Sequence, residues 1–287
     1  MKTTLKSQGV SMNMQMEIIC VGNELLIGKT LNTNAHWIAG RARSLGATIR
    51  RITVVSDDVD EIATVLREAL NRKPRFIVMT GGLGPTFDDK TLEGVAKGLG
   101  RKLEVNEKAL KMIRDKYESL LKEGRIEKVE LTPSRVKMAT FPTGSESLHN
   151  PVGTAPGMLA KVGATYLIAL PGVPPEMEAI FSGSVESMLR NEAGKTAFVE
   201  ASIYADNIIE SNLAPLIDQV MRDNPSVYIK SHVYTKAHPS AEGHKSHIEL
   251  HFSTRCSNLE AGRRCLDKAI EQMSELVKKN GGKIRTK

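Results

Sequence analysis

Four consecutive apolar residues, Phe76-Ile77-Val78-Met79, run directly into Thr80-Gly81-Gly82-Leu83-Gly84-Pro85-Thr86, with Asp88 and Asp89 just behind. A strand that short and wholly apolar is buried on both faces, as in a parallel sheet with helices on each side. The same order of strand, loop and helix recurs upstream. Met16 to Gly22 reads as a buried strand, and from about Thr33 to Leu45 the residues Trp37, Ile38, Ala42 and Leu45 share one helical face before Gly46. Thr48 to Val55 is strand-like, and Asp57 and Asp58 open a helix whose Val59, Ile62, Ala63, Leu66, Ala69 and Leu70 recur at three and four. This alternation predicts an open, mostly parallel α/β sheet.

Downstream, Asp88 or Asp89 can cap a helix running to Leu99, and Asn106 can cap another. Gly157 to Val162 and Thr165 to Leu170 read as a hairpin with a two-residue connection; Pro171-Gly172 ends it, and a helix from about Pro174 to Leu189 follows. The pattern then changes. Ala197 to Tyr204 is strand-like, Ile208 to Met221 helical, Val227 to Val233 and His247 to Ser253 strand-like, and Leu259 to Lys279 helical. A tail over 1–15, a larger domain over 16–195 and a smaller α+β module over 196–287 are therefore expected.

The net charge of +7 invites a nucleic-acid reading, but the excess is diffuse. Even the most basic stretch, residues 101–137, mixes 11 basic with 7 acidic side chains at helical spacing, the pattern of a solvated helix face. Aromatic residues make up only 4% of the chain, too few for a base-stacking platform. No run approaches the roughly 18 apolar residues of a membrane span. Cys20, Cys256 and Cys265 are odd in number and match no Cys-x-x-Cys spacing. A soluble, cytoplasmic protein with reduced thiols is expected.

In a doubly wound sheet, ligands bind outside the carboxyl ends of the strands, where two loops, Gly22 to Gly28 and Thr80 to Thr86, fall. Glycines let successive backbone N–H groups face one oxyanion, so Gly81, Gly82 and Gly84 form a phosphate cradle next to a helix start. No Gly-Lys-Ser/Thr follows, which separates the loop from a Walker motif. Two carboxylates beside a bound phosphate repel it unless a cation lies between them, so Asp88 and Asp89 imply Mg²⁺ or a similar hard metal. Glu24 is a third oxygen ligand or a general base that positions water. A plainer role competes, in which an aspartate caps its helix and Glu24 is a solvated loop residue. Asn150-Pro151-Val152-Gly153-Thr154-Ala155-Pro156-Gly157 is a tight loop whose amides and Asn150 side chain suit a base, ribose or pterin edge, or a structural turn.

Four segments, Gly22–Asn34, Thr80–Thr91, Asn150–Gly157 and Leu170-Pro171-Gly172-Val173-Pro174-Pro175-Glu176-Met177, resemble in order and spacing the CinA amino-terminal domain of the MoaB/Mog molybdopterin-binding superfamily. The resemblance covers about residues 16–190, and the smaller module is similar to the KH-like domain of CinA proteins. It implies a three-layer α/β fold, a homo-oligomer (dimer or trimer), and a small-molecule nucleotide or pterin as ligand. It further implies metal-dependent hydrolysis of ADP-ribose to AMP and ribose phosphate, with Mg²⁺, Mn²⁺ or Co²⁺ at Asp88 and Asp89. Glu24, Asp88 and Asp89 are then the catalytic group. Thr80, Gly81, Gly82, Gly84, Pro85 and Thr86 hold phosphate, while Asn34, Asn150, Gly153, Thr154 and Ala155 contact the nucleotide. The alternative within the superfamily is a molybdopterin-binding protein or adenylyl transferase that does not hydrolyse.

Asn23 stands where many Mog-branch proteins carry aspartate, which weakens a molybdopterin-specific reading. The chain ends at Lys287 without room for the nicotinamide-nucleotide deamidase domain of many bacterial CinA proteins, so deamidation is not expected. His232, His238, His244, His247 and His251 crowd one region, but no cysteine or carboxylate completes an evident metal site there. Residues 196–279 contain no Gly-x-x-Gly loop, so RNA binding by the second module is not expected either.

Overall fold

The computed structural model describes residues 14–193, 197–234, 247–256 and 258–286. The chain divides into two compact units, with the change at Ala193.

The first unit follows the alternation. Its elements are β1 (Gln15–Val21), α1 (Asn23–Leu26), α2 (Thr33–Ser44), β2 (Thr48–Val55), α3 (Val59–Asn71), β3 (Phe76–Thr80) and α4 (Thr91–Leu99). Next come β4 (Leu103–Val105), α5 (Glu107–Lys122), α6 (Pro133–Lys137), β5 (Thr140–Pro142), β6 (Glu146–Leu148), β7 (Gly157–Val162) and β8 (Thr165–Leu170). The unit closes with α7 (Pro174–Ile180), a π turn (Phe181–Val185) and α8 (Glu186–Ala193). The single helix expected from Pro174 to Leu189 is thus interrupted by that π turn. Most of the expected tail lies outside the described residues; Met14, however, is buried and Gln15 already pairs in β1, so the ordered fold starts before Met16.

The main sheet has the order β2-β1-β3-β8-β7-β6. The β1–β2, β1–β3 and β3–β8 pairs are parallel, and β7 adds antiparallel to β8 and to β6. Successive strand residues face opposite sides, and here both sides are covered. Ile19 and Val21, Ile77 and Met79, and Leu167 and Ala169 share one apolar core with Ile62 and Leu66 of α3, Val95 of α4 and Ile113 of α5. Their neighbours Ile18, Cys20, Val78, Ile168 and Leu170 are buried on the other face. There α2 and the final helices are joined by an edge-on contact of Trp37 with Phe181 and by the Arg41–Glu186 ion pair. The result is three layers: helices, sheet, helices.

Two helix caps follow the sequence and one does not. Asp58 caps α3 and Asn106 caps α5 through their side chains. Neither Asp88 nor Asp89 caps α4: its N-cap is Lys90, whose side chain makes no capping hydrogen bond. Both carboxylates are drawn instead to Thr86.

The second unit contains β9 (Ala197–Asp206), α9 (Glu210–Asp223), β10 (Val227–Tyr234), β11 (His247–Cys256), α10 (Leu259–Lys279) and β12 (Lys283–Thr286). Its sheet, ordered β10-β11-β9-β12, is antiparallel throughout. Ile203, Ile248, Leu250 and Phe252 of the sheet pack with Leu213 and Val220 of α9 and with Leu266, Met273 and Val277 of α10. Strand β12 is a fourth strand that periodicity did not reveal. Of the crowded histidines, His247 pairs with Asp206 at 2.6 Å and His251 with Glu200 at 3.4 Å. His238 and His244 lie outside the described residues. No described helix is long and apolar enough to cross a membrane.

Candidate functional site

From β1 the chain crosses to β2 on one side, then returns past β1 to β3 on the other. The loops after β1 and β3 therefore part at the sheet edge and leave a crevice at the switch point. The crevice is a cleft of about 330 Å³. Glu24, Asp57, Asp88, Asp89 and Glu176 line it, together with residues 81–85, Thr154, Ala155 and the Pro171–Val173 turn.

The glycine loop is shaped by close backbone approach. Gly81 has φ +103° and Gly82 φ +64°, and a side chain at Gly81 would collide with the Val21 carbonyl oxygen. Only glycine fits there without strain. The Gly81 N–H bonds to Leu170 O at 3.1 Å, while Thr91 Oγ1 donates to Gly81 O at 2.7 Å and Thr91 N to Gly82 O at 3.1 Å. Hence the expected cradle shifts by one residue. Gly81 is tied into the sheet, and the amides of Gly82, Leu83 and Gly84 are those with no protein acceptor among the described residues. Consecutive amides freed in this way form an anion-binding concavity.

Beyond the cradle the chain makes a closed turn. Thr86 N donates to Asp89 Oδ2 at 2.8 Å, Thr86 Oγ1 lies 2.6 Å from the same oxygen and also contacts Asp88 Oδ1, and Lys137 Nζ donates to Thr86 O. A hydroxyl carries one hydrogen, so the two aspartates compete for it. The Thr86 hydroxyl, the Asp88 amide and, more weakly, the charge of Lys137 hold the Asp88 carboxyl below the usual carboxylate range. Gly84 makes room for this arrangement: a Cβ there would sit 2.6 Å from Asp89 Oδ2.

Asp57 was read from sequence only as a helix opener, yet it belongs to the cleft. Its carboxylate accepts from Asn23 N at 2.8 Å, fixing the loop after β2 to the loop after β1. Burial pushes the Asp57 carboxyl up, the Asn23 bond opposes this, and the negative charges of Glu24, Asp88 and Asp89 raise it further. The side chain of Glu24 folds back over the strand end, where a Cβ on Gly22 would stand 2.5 Å from Glu24 Oε1.

Asn34 is also placed at the crevice. Its Nδ2 donates to Thr80 Oγ1 at 3.0 Å and to Gly172 O at 2.8 Å, and Thr80 Oγ1 passes its own hydrogen to Pro171 O at 2.9 Å. Asn34 and Thr80 therefore brace the β3 and β8 loops against each other. Asn34 Oδ1 is buried without a partner among the described residues, in a side chamber that Glu24 and Thr80 also line.

The Asn150 loop requires a correction. Asn150 Nδ2 donates to Ala155 O and Glu176 Oε2 at 2.8 and 2.7 Å, and Oδ1 accepts from Val152 N and Gly153 N at 3.1 and 2.8 Å. With every hydrogen and both lone pairs engaged, Asn150 organises the loop and holds Glu176, and Gly153 serves the same turn. Only Thr154 and Ala155 of that loop reach the cleft. Glu176 escaped the sequence reading as a site residue because its partner lies 26 positions away.

Five carboxylates therefore face a cradle of open amides. The donors are all hard oxygens, the set that suits Mg²⁺ or Mn²⁺. The repulsion that adds to burial in raising Asp57, and the single Thr86 hydrogen shared by two aspartates, are what a divalent cation would relieve. The oxygen donors thus match the chemistry of a hard cation, although among the described residues no group of three or more Asp, Glu, His or Cys side chains is placed to hold a metal ion.

A cradle of open amides and an acidic wall at the switch point of a three-layer sheet define an α/β protein with a small-molecule cleft. The chain belongs to the family described as the probable molybdopterin binding domain, whose model matches residues 17–191. The crystal structure of the protein CinA, of unknown function, from Thermoplasma acidophilum is 44% identical and covers 61% of this chain and 98% of its own, with a TM-score of 0.55. A protein of Sulfurisphaera tokodaii is 41% identical over 93% of this chain and 97% of its own length. One from Aeropyrum pernix is 43% identical over 93% and 95%. The Sulfurisphaera and Aeropyrum relatives extend through the second unit as well.

Proposed function

We propose that this protein is a metal-dependent nucleotide pyrophosphatase of CinA type that hydrolyses ADP-ribose to AMP and ribose phosphate. The observation that supports the reading most is the juxtaposition of the open 82–84 amides with the carboxylates of Asp57, Asp88 and Asp89 in one cleft. The amides hold one phosphate of the diphosphate. Asp88 and Asp89, with Asp57 beside them, would hold the cation, which when bound screens the carboxylates from the phosphate and offsets the negative charge on the phosphoryl and leaving oxygens. Glu24 takes a proton from a water at the cleft wall as its oxygen attacks phosphorus. The P–O bond to the second phosphate breaks, and that phosphate leaves with the electron pair. Thr154, Ala155 and Glu176 shape the side opposite the glycine loop.

The test is to incubate purified protein with ADP-ribose and Mg²⁺, Mn²⁺ or Co²⁺ and measure AMP. Turnover that needs the metal, and that Asp88→Asn lowers at least 100-fold, is the expected result. Absence of turnover together with a pterin that co-purifies would replace hydrolysis with the binding role of a molybdopterin protein.

A further inference from the structure

Beside the acidic cleft lies a second, larger cavity of about 470 Å³. Leu83, Leu92, Leu103, Leu131, Pro133 and Val136 give it apolar walls. The two cavities share residues 82–84 and Asp89 as a common wall. The end of α6 contributes to both, since Lys137, its last residue, lines the apolar chamber and Met138, just after it, the cleft. Lys137 also donates to Thr86 O, so its ammonium group stands where the chamber meets the phosphate turn. Glu93 is the chamber's carboxylate on the α4 side, paired with Lys90 at 3.7 Å and partly open to solvent.

We propose that this chamber receives the flat nitrogen heterocycle, purine or pterin, of the ligand whose phosphate the 82–84 amides hold. The inference rests on the phosphate reading of the cleft. An anionic ligand that occupied only the cleft would leave this apolar surface wet. A ligand with a phosphate at one end and a flat, amino-bearing ring at the other covers both cavities by crossing their shared wall. Pockets of 300–1,000 Å³ with apolar walls and a few polar groups are the usual form of such sites. The ring buries its faces on Leu83, Leu131 and Val136, its exocyclic amine donates to Glu93, and Lys137 lies over the linking phosphate. Base recognition thus passes from the Asn150 loop, whose side-chain bonds are internal, to the α4–α6 side of the glycine loop.

The experiment is calorimetric titration, with Mn²⁺ present, of AMP, ribose 5-phosphate and neopterin phosphate into the full chain. In the wild type at least one ring-bearing ligand should bind tenfold or more tighter than ribose 5-phosphate. Leu131→Trp, which fills the chamber, should remove that advantage and leave ribose 5-phosphate affinity unchanged. Val136→Phe, at a second lining position, should act in the same direction and guards against a folding defect in the first variant. Whichever of AMP and neopterin phosphate loses affinity identifies the ring. Equal binding of all three ligands, untouched by either substitution, would overturn the chamber and leave the phosphate site standing. Failure of all three to bind would overturn both. A change of oligomeric state by light scattering in Leu131→Trp, with AMP affinity intact, would mark the chamber as an interface between copies and overturn the proposal.

Discussion

A side chain at Gly153 would overlap the carboxyl group of Glu176, whose Oε2 accepts a 2.7 Å hydrogen bond from Asn150. The loop glycine is therefore what lets Glu176 stand at the cleft wall. Gly153→Ala should push Glu176 away and open the Asn150 bond, at a stability cost of about 1–3 kcal/mol. Titration with AMP and Mn²⁺ should show affinity reduced about tenfold, or ~1.4 kcal/mol. Unchanged affinity would remove Glu176 from the site.

Asp57 supplies a pH prediction. Its folded pKa is raised, so the stability it contributes is present at low pH and lost as pH rises through the raised value. The neighbouring Asp88, shifted downward, acts in the opposite sense. In chelator, Asp57→Asn should therefore melt higher than wild type above the ordinary carboxylate range and lose that advantage in acid. Added Mn²⁺ should stabilise the wild type more than the variant. Thermal melts across pH, with and without cation, check both statements.

Glu17 is only 3% exposed within β1, and Arg72 holds both its carboxylate oxygens at 2.8 and 2.7 Å. Arg72→Met strands that carboxylate, at a cost of about 2–3 kcal/mol, below the value for a wholly buried pair because the Arg72 side chain is one-third open to water. Adding Glu17→Leu should recover most of the loss. Denaturant unfolding of the two single variants and the double variant closes the cycle.

Gly40 lies exposed inside α2, and a Cβ there would meet nothing within 4 Å. Gly40→Ala should stabilise the protein by about 0.4–1 kcal/mol, chiefly by restricting the unfolded chain. Its melting temperature should rise by about 1–3 °C.

What was legible in the sequence was local. The apolar run before Thr80, the caps Asp58 and Asn106 and the turn between β7 and β8 each depend on neighbours a few residues away. The placement of Asp57 and Glu176 was hidden because each meets the site only through the fold, by way of Asn23 and Asn150. The cap expected from Asp88 or Asp89 failed for a local reason: Thr86, two and three positions earlier, offers a hydroxyl and an amide that compete for the same carboxylates. Likewise, glycine content marked the anion loop without showing that Gly81 donates to Leu170, which moves the cradle to Gly82–Gly84. The four residues of β12 carry too short a pattern to be read without their partner β9.

The proposed hydrolysis requires a divalent cation held by the acidic wall beside the 82–84 amides. Electron paramagnetic resonance of free Mn²⁺, titrated with protein in the presence of AMP, measures this directly. One Mn²⁺ bound per chain, weakened at least tenfold by Asp88→Asn and by Asp57→Asn, is the predicted result. Mn²⁺ that stays free with the wild type, or binds equally to all three proteins, would contradict it.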